Sequence, residues 1–146
     1  MGIVHTDIIL KNVRDLFMAE EGIIKEHEIR QIKVNAMADT GTGTLVINEE
    51  LRRQLGLNIR GLRKTTLAND SREICQLADP VEVHWQDRSM ICQPLVISGS
   101  GEVLLGAIPL EDMDLLVDPV RQILTGAHGD EVVCMLKKTQ FLIPHS

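Results

Sequence analysis

Hydrophobic and polar residues alternate along much of the chain, and this period of two is typical of half-buried β-strands. The clearest alternation covers residues 28–38, where Ile32, Val34, Ala36 and Ala38 fall on one face. Shorter alternating or apolar segments recur between turn-forming residues along the rest of the sequence. The predicted extended segments are residues 6–13, 28–38, 44–47, 81–85, 91–97, 102–106, 116–119, 122–124 and 131–136, and a hairpin is predicted over residues 64–77.

A helical pattern replaces this alternation over only a few short stretches. Asn48 is a good N-cap, Glu49 and Glu50 suit the positive end of a helix, and Gly56 ends it. Residues 109–115 form at most one further helical turn, and residues 16–21 form a short helix or a loop with no assigned role. Many short strands with one or two short helices predict an all-β barrel or sandwich, in a single domain over residues 1–146.

Composition and charge exclude several kinds of function. The sequence is 44% hydrophobic and 25% charged, which fits a folded globular domain. Its net charge is −6, only 2% of its residues are aromatic and it has no basic run, so we expect no nucleic-acid binding. Its apolar runs are much shorter than the roughly 20 residues of a membrane span, so we expect no membrane insertion.

The spacing of cysteine and histidine argues against a disulfide frame and a metal site. Cys75, Cys92 and Cys134 are scattered and form no C-x-x-C pair, which predicts neither a disulfide frame nor a zinc site. No two of the five histidines stand three or four residues apart, so a helical metal pair is excluded. Scattered cysteines and an N-terminus without a signal-peptide pattern lead us to expect a cytoplasmic protein.

Two short motifs carry the chemistry. The triplet Asp39-Thr40-Gly41 directly follows the clearest predicted strand, and it occurs once. A carboxylate held at a tight, glycine-containing turn can meet a second carboxylate and share a proton with it. A turn-capping carboxylate at a strand end is the alternative role for Asp39. The second motif, Leu104-Leu105-Gly106, follows about 65 positions later and places a glycine after a short apolar strand.

With these two motifs, the chain resembles the retroviral-like, or retropepsin-type, aspartic proteases, and it is nearer to their bacterial and archaeal single-domain members. The resemblance covers about residues 28–125. It implies a closed, barrel-like, single-lobe acid protease fold. It also implies an aspartic endopeptidase that acts on a peptide or protein substrate and uses no metal and no cofactor.

The resemblance further implies a role for each part of the site. Asp39, Thr40 and Gly41 are implied to be catalytic: Asp39 activates water, Thr40 steadies the base of the site by bonding the partner chain, and Gly41 lets backbone lie close to the carboxylates. An apolar floor beneath the catalytic loop is implied for Leu104, Leu105 and Gly106. A flap over the substrate is implied for Leu67, Ala68, Asn69, Asp70 and Ser71.

The solitary triplet makes assembly part of the prediction. Because a shared-proton site needs two carboxylates, an active enzyme must be a homodimer with one Asp39 from each chain. The apolar residues Phe141, Leu142 and Ile143 are either interface strands of this dimer or a last strand within one subunit.

Two departures from the family pattern leave other functions open. The flap turn at residues 69–71 has no glycine, and Gly106 is followed by Ala107 and Ile108 rather than by arginine and an acidic or amide residue. The main alternative is therefore a dimerisation or peptide-binding module of the same fold, with weak or no hydrolysis. A protein that cuts only itself or one partner is a third possibility.

Overall fold

A computed structural model describes residues 3–66, 69–99, 101–134 and 136. The strands are β1 Val4–Asn12, β2 Gln31–Ala38, β3 Leu45–Asn48, β4 Ile59–Thr66, β5 Arg72–Ala78, β6 Val81–Trp85, β7 Arg88–Cys92, β8 Leu95–Ile97, β9 Val103–Leu105, β10 Leu115–Asp118 and β11 Ile123–Gly126. The helices are α1 Val13–Glu20, α2 Glu49–Gln54, α3 Ala107–Asp112 and a 3-10 turn at Glu26–Glu28.

Nine of these strands form one sheet that curls strongly into a half-barrel. The strand order is β4-β5-β8-β3-β9-β2-β1-β6-β7, so β4 and β7 are the edge strands. Strands β10 and β11 form a separate antiparallel hairpin that packs against β1. This mostly β architecture confirms the predicted all-β, barrel-like fold class, although the described residues contain three α-helices rather than one or two.

The core is aliphatic, as the scarcity of aromatic residues requires. Its largest fully buried side chains come mainly from β1, β3, β6, β9 and the segment after α2, and they include Ile8, Leu10, Leu45, Ile47 and Leu105. Strand β2 shows the predicted alternation. Ala36 is fully buried, and Ile32, Val34 and Ala38 pack against the core from the same face, while Lys33 and Asn35 are exposed.

The short helix after β3 begins and ends as predicted. The Asn48 side chain accepts a hydrogen bond of 2.9 Å from Leu51 N, which satisfies one of the free donors at the helix start. Gly56 has a φ of +66°, a left-handed conformation that glycine adopts without steric cost. Local sequence therefore determines this helix.

Helix α1 covers most of residues 16–21, which the sequence analysis leaves as a short helix or a loop with no assigned role. Asn12 caps it by accepting from Asp15 N at 3.1 Å, and the Asn12 amide also donates to Leu55 O at 2.8 Å. Buried Asp15 in turn accepts hydrogen bonds from the Arg30 guanidinium at 2.8 and 2.9 Å. The side-chain bonds from Arg30, helped by its charge, hold the pKa of Asp15 below its usual value despite burial. These contacts tie α1 to the start of β2.

Two strand predictions are wrong. The single strand predicted over residues 91–97 is split at Pro94, because proline has no N–H to continue a ladder. Strand β7 pairs with β6, whereas β8 pairs with β3 and β5. The strand predicted over residues 131–136 is reduced, in its described part, to one isolated bridge between Glu131 and His128. Phe141, Leu142 and Ile143 lie outside the described residues.

Candidate active site

Strand β9 positions the Asp39 loop from below. It pairs in parallel with β2, with Ala38 opposite Leu105, and antiparallel with β3, with Leu45 opposite Leu105. The loop of residues 39–44 therefore connects β2 and β3, the two strands that flank β9. Asp39 N donates to Leu105 O at 2.9 Å, which fixes the first residue of the loop to the strand beneath it.

The Asp39 carboxylate is half-buried and held by two donors from its own loop. Its Oδ1 accepts from Gly41 N at 2.9 Å, and its Oδ2 accepts from the Thr42 hydroxyl at 2.8 Å. The Asp39 carbonyl oxygen also accepts from Thr42 N at 3.1 Å, so the turn itself is closed by a backbone bond. Each carboxylate oxygen keeps further lone-pair capacity for water, substrate or a second acid.

Gly106 allows the loop to lie directly on the floor strand. A Cβ at this position would lie 2.3 Å from Thr44 O and 2.6 Å from Thr42 O. The two residues after Gly106 form backbone hydrogen bonds to the same loop. Ala107 N donates to Thr42 O at 2.7 Å, and Ile108 N donates to Gly43 O at 3.0 Å. The structure thus brings the two sequence motifs together, with Leu105 fully buried and Leu104 half-buried.

Thr40 and Gly41 are exposed at the top of this loop. A Cβ on Gly41 would lie 3.3 Å from Asp39 Oδ1, a tight contact that would press on the carboxylate. Thr40 lines a shallow depression with residues of α3 and β10, including Ala107, Leu116 and Val117. Thr40, which the resemblance implies to bond a partner chain, is therefore on the surface, where another chain can contact it.

The predicted hairpin is formed by β4 and β5, with Thr66 opposite Arg72 as its last described pair. Leu67 and Ala68 lie outside the described residues. In the described part of the turn, Asn69 Oδ1 accepts from Ser71 N at 3.1 Å, and Asp70 has a φ of +64°. Aspartate is one of the few side-chain-bearing residues that tolerates this left-handed conformation, so Asp70 occupies a conformation that glycine usually supplies.

Outside this loop, Cys92 is half-buried, Cys134 is exposed, and several histidines are paired with carboxylates. Burial, with the nearby Asp112 charge, raises the pKa of the Cys92 thiol to about 12, so this thiol stays protonated at neutral pH. His5 bonds Glu102 at 2.5 Å, and His128 bonds Asp114 at 2.7 Å. No group of three or more metal-binding side chains is found among the described residues.

Thr42 is the site residue that sequence reasoning missed. The two motifs assign it no role, yet its hydroxyl is the donor to Asp39 Oδ2. The available signal was a hydroxyl three residues after an aspartate at a turn, a spacing at which local side-chain bonds are common.

If Asp39 acts in peptide hydrolysis, as the family resemblance implies, we expect Thr42→Val to lower kcat about tenfold or more with little change in KM, because a hydrogen bond to a charged group contributes roughly 1.5–3 kcal/mol. Thr42→Ser is the matched control, since it keeps the hydroxyl and removes only a methyl group. Steady-state kinetics on one peptide would compare them. Equal activity of the valine and serine variants would show that the Thr42–Asp39 bond does not orient the reacting carboxylate.

The fold has known counterparts among solved structures. The chain is similar to the retroviral protease-like domain of Ddi1 from Leishmania major, with 14% identity, a TM-score of 0.51, and coverage of 86% of this chain and 88% of that one. A retropepsin-like aspartic protease from Rickettsia conorii also matches, with 17% identity, a TM-score of 0.43, and coverage of 81% and 89%. The chain therefore has the retropepsin-type fold that its motifs implied.

The comparisons by sequence give no further relative. No protein-family model matches the chain, and no curated protein matches it either. Among the described residues, no helix is long and apolar enough to cross a membrane.

Proposed function

We propose that the chain is an aspartic endopeptidase, which hydrolyses peptide bonds at a site formed by Asp39 from each of two copies. The observation that carries this proposal is the Asp39 carboxylate, oriented by Gly41 N and the Thr42 hydroxyl on a β9 floor. The retropepsin-type fold also supports the proposal, because the Asp39 loop lies within a chain of that fold. The proposal takes residues 1–146 as a single domain.

The proposed chemistry follows from two carboxylates at close range. Such a pair cannot ionise twice at low cost, so it shares one proton and titrates as a unit. The charged Asp39 takes a proton from a water molecule, whose oxygen attacks the scissile carbonyl carbon. The protonated Asp39 of the other copy donates a hydrogen bond to the carbonyl oxygen. When the tetrahedral intermediate collapses, the C–N bond breaks and the leaving amine takes up the proton that the first Asp39 had removed from water.

The roles of the remaining predicted residues follow from the same proposal. Thr40, exposed beside Asp39, bonds the partner chain at the base of the shared site. Leu104, Leu105 and Gly106 support the loop from beneath, and Gly106 does so by the absence of a side chain. Residues 67–71, which lie between β4 and β5 in the sequence, are the part that covers the bound peptide. Peptides bind to this fold in extended form, as added strands.

A peptide-binding module with weak or no hydrolysis is the second candidate function. The observation that favours it is the described part of the hairpin turn, where Asp70 rather than glycine takes the left-handed conformation. An Asp70 side chain restricts this turn more than glycine does, and a flap that closes poorly would bind peptide without excluding water.

One experiment separates these functions. Peptide-library cleavage and sedimentation are measured on the same preparations over a dilution series. If Asp39 acts in pairs, the activity per chain falls as the dimer dissociates. Cleavage by chains that sediment as monomers would refute the shared site. A stable dimer that binds peptides without cutting them would favour the binding module.

A further inference from the structure

An imidazole and a carboxylate from distant parts of the chain meet on the surface of the sheet. His5 of β1 donates through Nε2 to Glu102 Oε1 at 2.5 Å, and the two residues are 97 positions apart in the sequence. Their side chains are 42% and 48% exposed, so both are accessible to a ligand. We call these two residues the His5–Glu102 pair.

The sheet register places this pair on the face that points away from the core. His5 lies opposite Met37 of β2, and Met37 lies opposite Leu104 of β9. Because successive side chains of a strand point to opposite faces, these three residues share one face of the sheet. Their sequence neighbours on the other face are buried in the core, namely Val4, Ala36, Val103 and Leu105.

Asp39 leaves the sheet on the same face as the pair. It lies two residues beyond Met37, and its N–H continues the pairing with β9 through the 2.9 Å bond to Leu105 O. Along β2 and β9, the half-buried apolar side chains of Met37 and Leu104 lie between Asp39 and Glu102. Strand geometry puts the pair on the order of 10 Å from Asp39, a distance that an extended peptide covers in about three residues.

Glu102 can accept a further hydrogen bond from a ligand. Among the described residues only its Oε1 is bonded, by His5, so Oε2 remains available to a lysine or arginine side chain. The loop that carries Glu102 is held in place, because the buried Asn48 amide donates to Gly101 O at 2.8 Å. The net charge of −6 also favours the approach of a basic peptide.

We propose that the His5–Glu102 pair selects peptides with a lysine or arginine about three residues from the cut bond, beyond apolar residues that contact Met37 and Leu104. This inference rests on the proposed function, which places the cut bond at Asp39. Because a two-fold axis repeats the site, one such pair lies on each side of the cut bond. A basic residue on either side is therefore recognised.

Glu102→Gln tests the inference, because the amide keeps the shape of the side chain and removes its charge. Binding is measured by fluorescence anisotropy in an Asp39→Asn background, with two peptides that differ only in having lysine or methionine three residues from an apolar pair. The lysine preference is the ratio of the two dissociation constants. We expect Glu102→Gln to lower this preference about fivefold, the upper end of what an exposed ion pair contributes.

The matched control is Glu82→Gln in the same background. Glu82 also bonds a histidine, His84, and its replacement removes the same charge from β6, a strand that does not pair with β2 or β9. A lysine preference that is lost in Glu102→Gln and kept in Glu82→Gln would support the inference. Circular dichroism checks that all variants are folded.

Two results would overturn the inference. One is a background protein without a lysine preference, including one that binds neither peptide, and the other is an equal preference in the Glu102→Gln and Glu82→Gln variants. Cleavage of the same peptides by the chain with Asp39 intact tests the proposed function separately. Binding that depends on Glu102 without any cleavage would refute the proposed function alone, and cleavage that ignores Glu102 would refute the inference alone.

Discussion

Replacing Asp39 with asparagine is expected to abolish peptide cleavage and to leave the fold and the association of the chain intact. The amide has nearly the shape of the carboxylate, and its oxygen can still accept from Gly41 N while its NH₂ group faces the Thr42 hydroxyl. It cannot take a proton from water, and both copies lose this function at once. We expect kcat to fall by at least about a thousandfold, within the range that general acid–base groups contribute.

Mixing the variant with the wild type makes the test specific for a shared site. If subunits exchange freely, an equal mixture contains about one quarter wild-type dimers, and activity should fall to about that fraction. Independent sites within single chains would instead retain about half of the activity. Asp7→Asn, which changes an exposed carboxylate on β1, is the control for the loss of one negative charge. Cleavage that persists in Asp39→Asn would place the catalytic group elsewhere.

Gly106→Ala is expected to damage stability and activity together. The added Cβ would lie 2.3 Å from Thr44 O and 2.7 Å from Thr44 N, and backbone atoms of a bonded loop cannot move aside as a flexible side chain can. We expect the free energy of unfolding to fall by about 3 kcal/mol, as in severe overpacking. We also expect kcat/KM to fall more than about tenfold, because the displaced loop carries Asp39.

Gly43→Ala is the matched control for this change. Gly43 lies in the same loop, its carbonyl oxygen accepts from Ile108 N at 3.0 Å, and a Cβ there would meet no atom within 4 Å. Chemical denaturation and peptide kinetics on both variants give the comparison. If Gly106→Ala and Gly43→Ala behave alike, the close approach between floor and loop is not what holds Asp39 in place.

The parts of the fold that the sequence predicted well are those determined by local rules. Ala36 and its neighbours on β2 alternate because one face of that strand packs on the core, and Asn48 caps α2 through a bond to a residue three positions away. The juxtaposition of Asp39 with Leu105 is not local. Only the family resemblance predicts this juxtaposition, because hydrophobic periodicity does not indicate which strands pair.

The errors also have physical causes. Residues 91–97 alternate as a single strand would. The ladder nevertheless breaks at Pro94, and the segments on its two sides pair with different strands. The apolar residues at 132–133 look like a strand, but in the structure Val133 N donates to Asp114 Oδ2 at 3.0 Å instead of joining a ladder. The bond from Thr42 to Asp39 depends on a side-chain rotamer within the turn, which residue identity alone does not determine.

The place of β9 in the sheet has a consequence for how an active molecule arises. Asp39, Gly41 and Thr42 are all made early, but the strand that supports them begins only at Val103 and lies between β2 and β3. Closing so long a loop costs entropy before its contacts repay it, and parallel pairing of this kind forms slowly. A nascent or truncated chain that lacks β9 therefore contains Asp39 but not the strand that bonds its loop. The Asp39 loop can therefore take the geometry described above only after synthesis has passed Ile108, whose N–H bonds the loop.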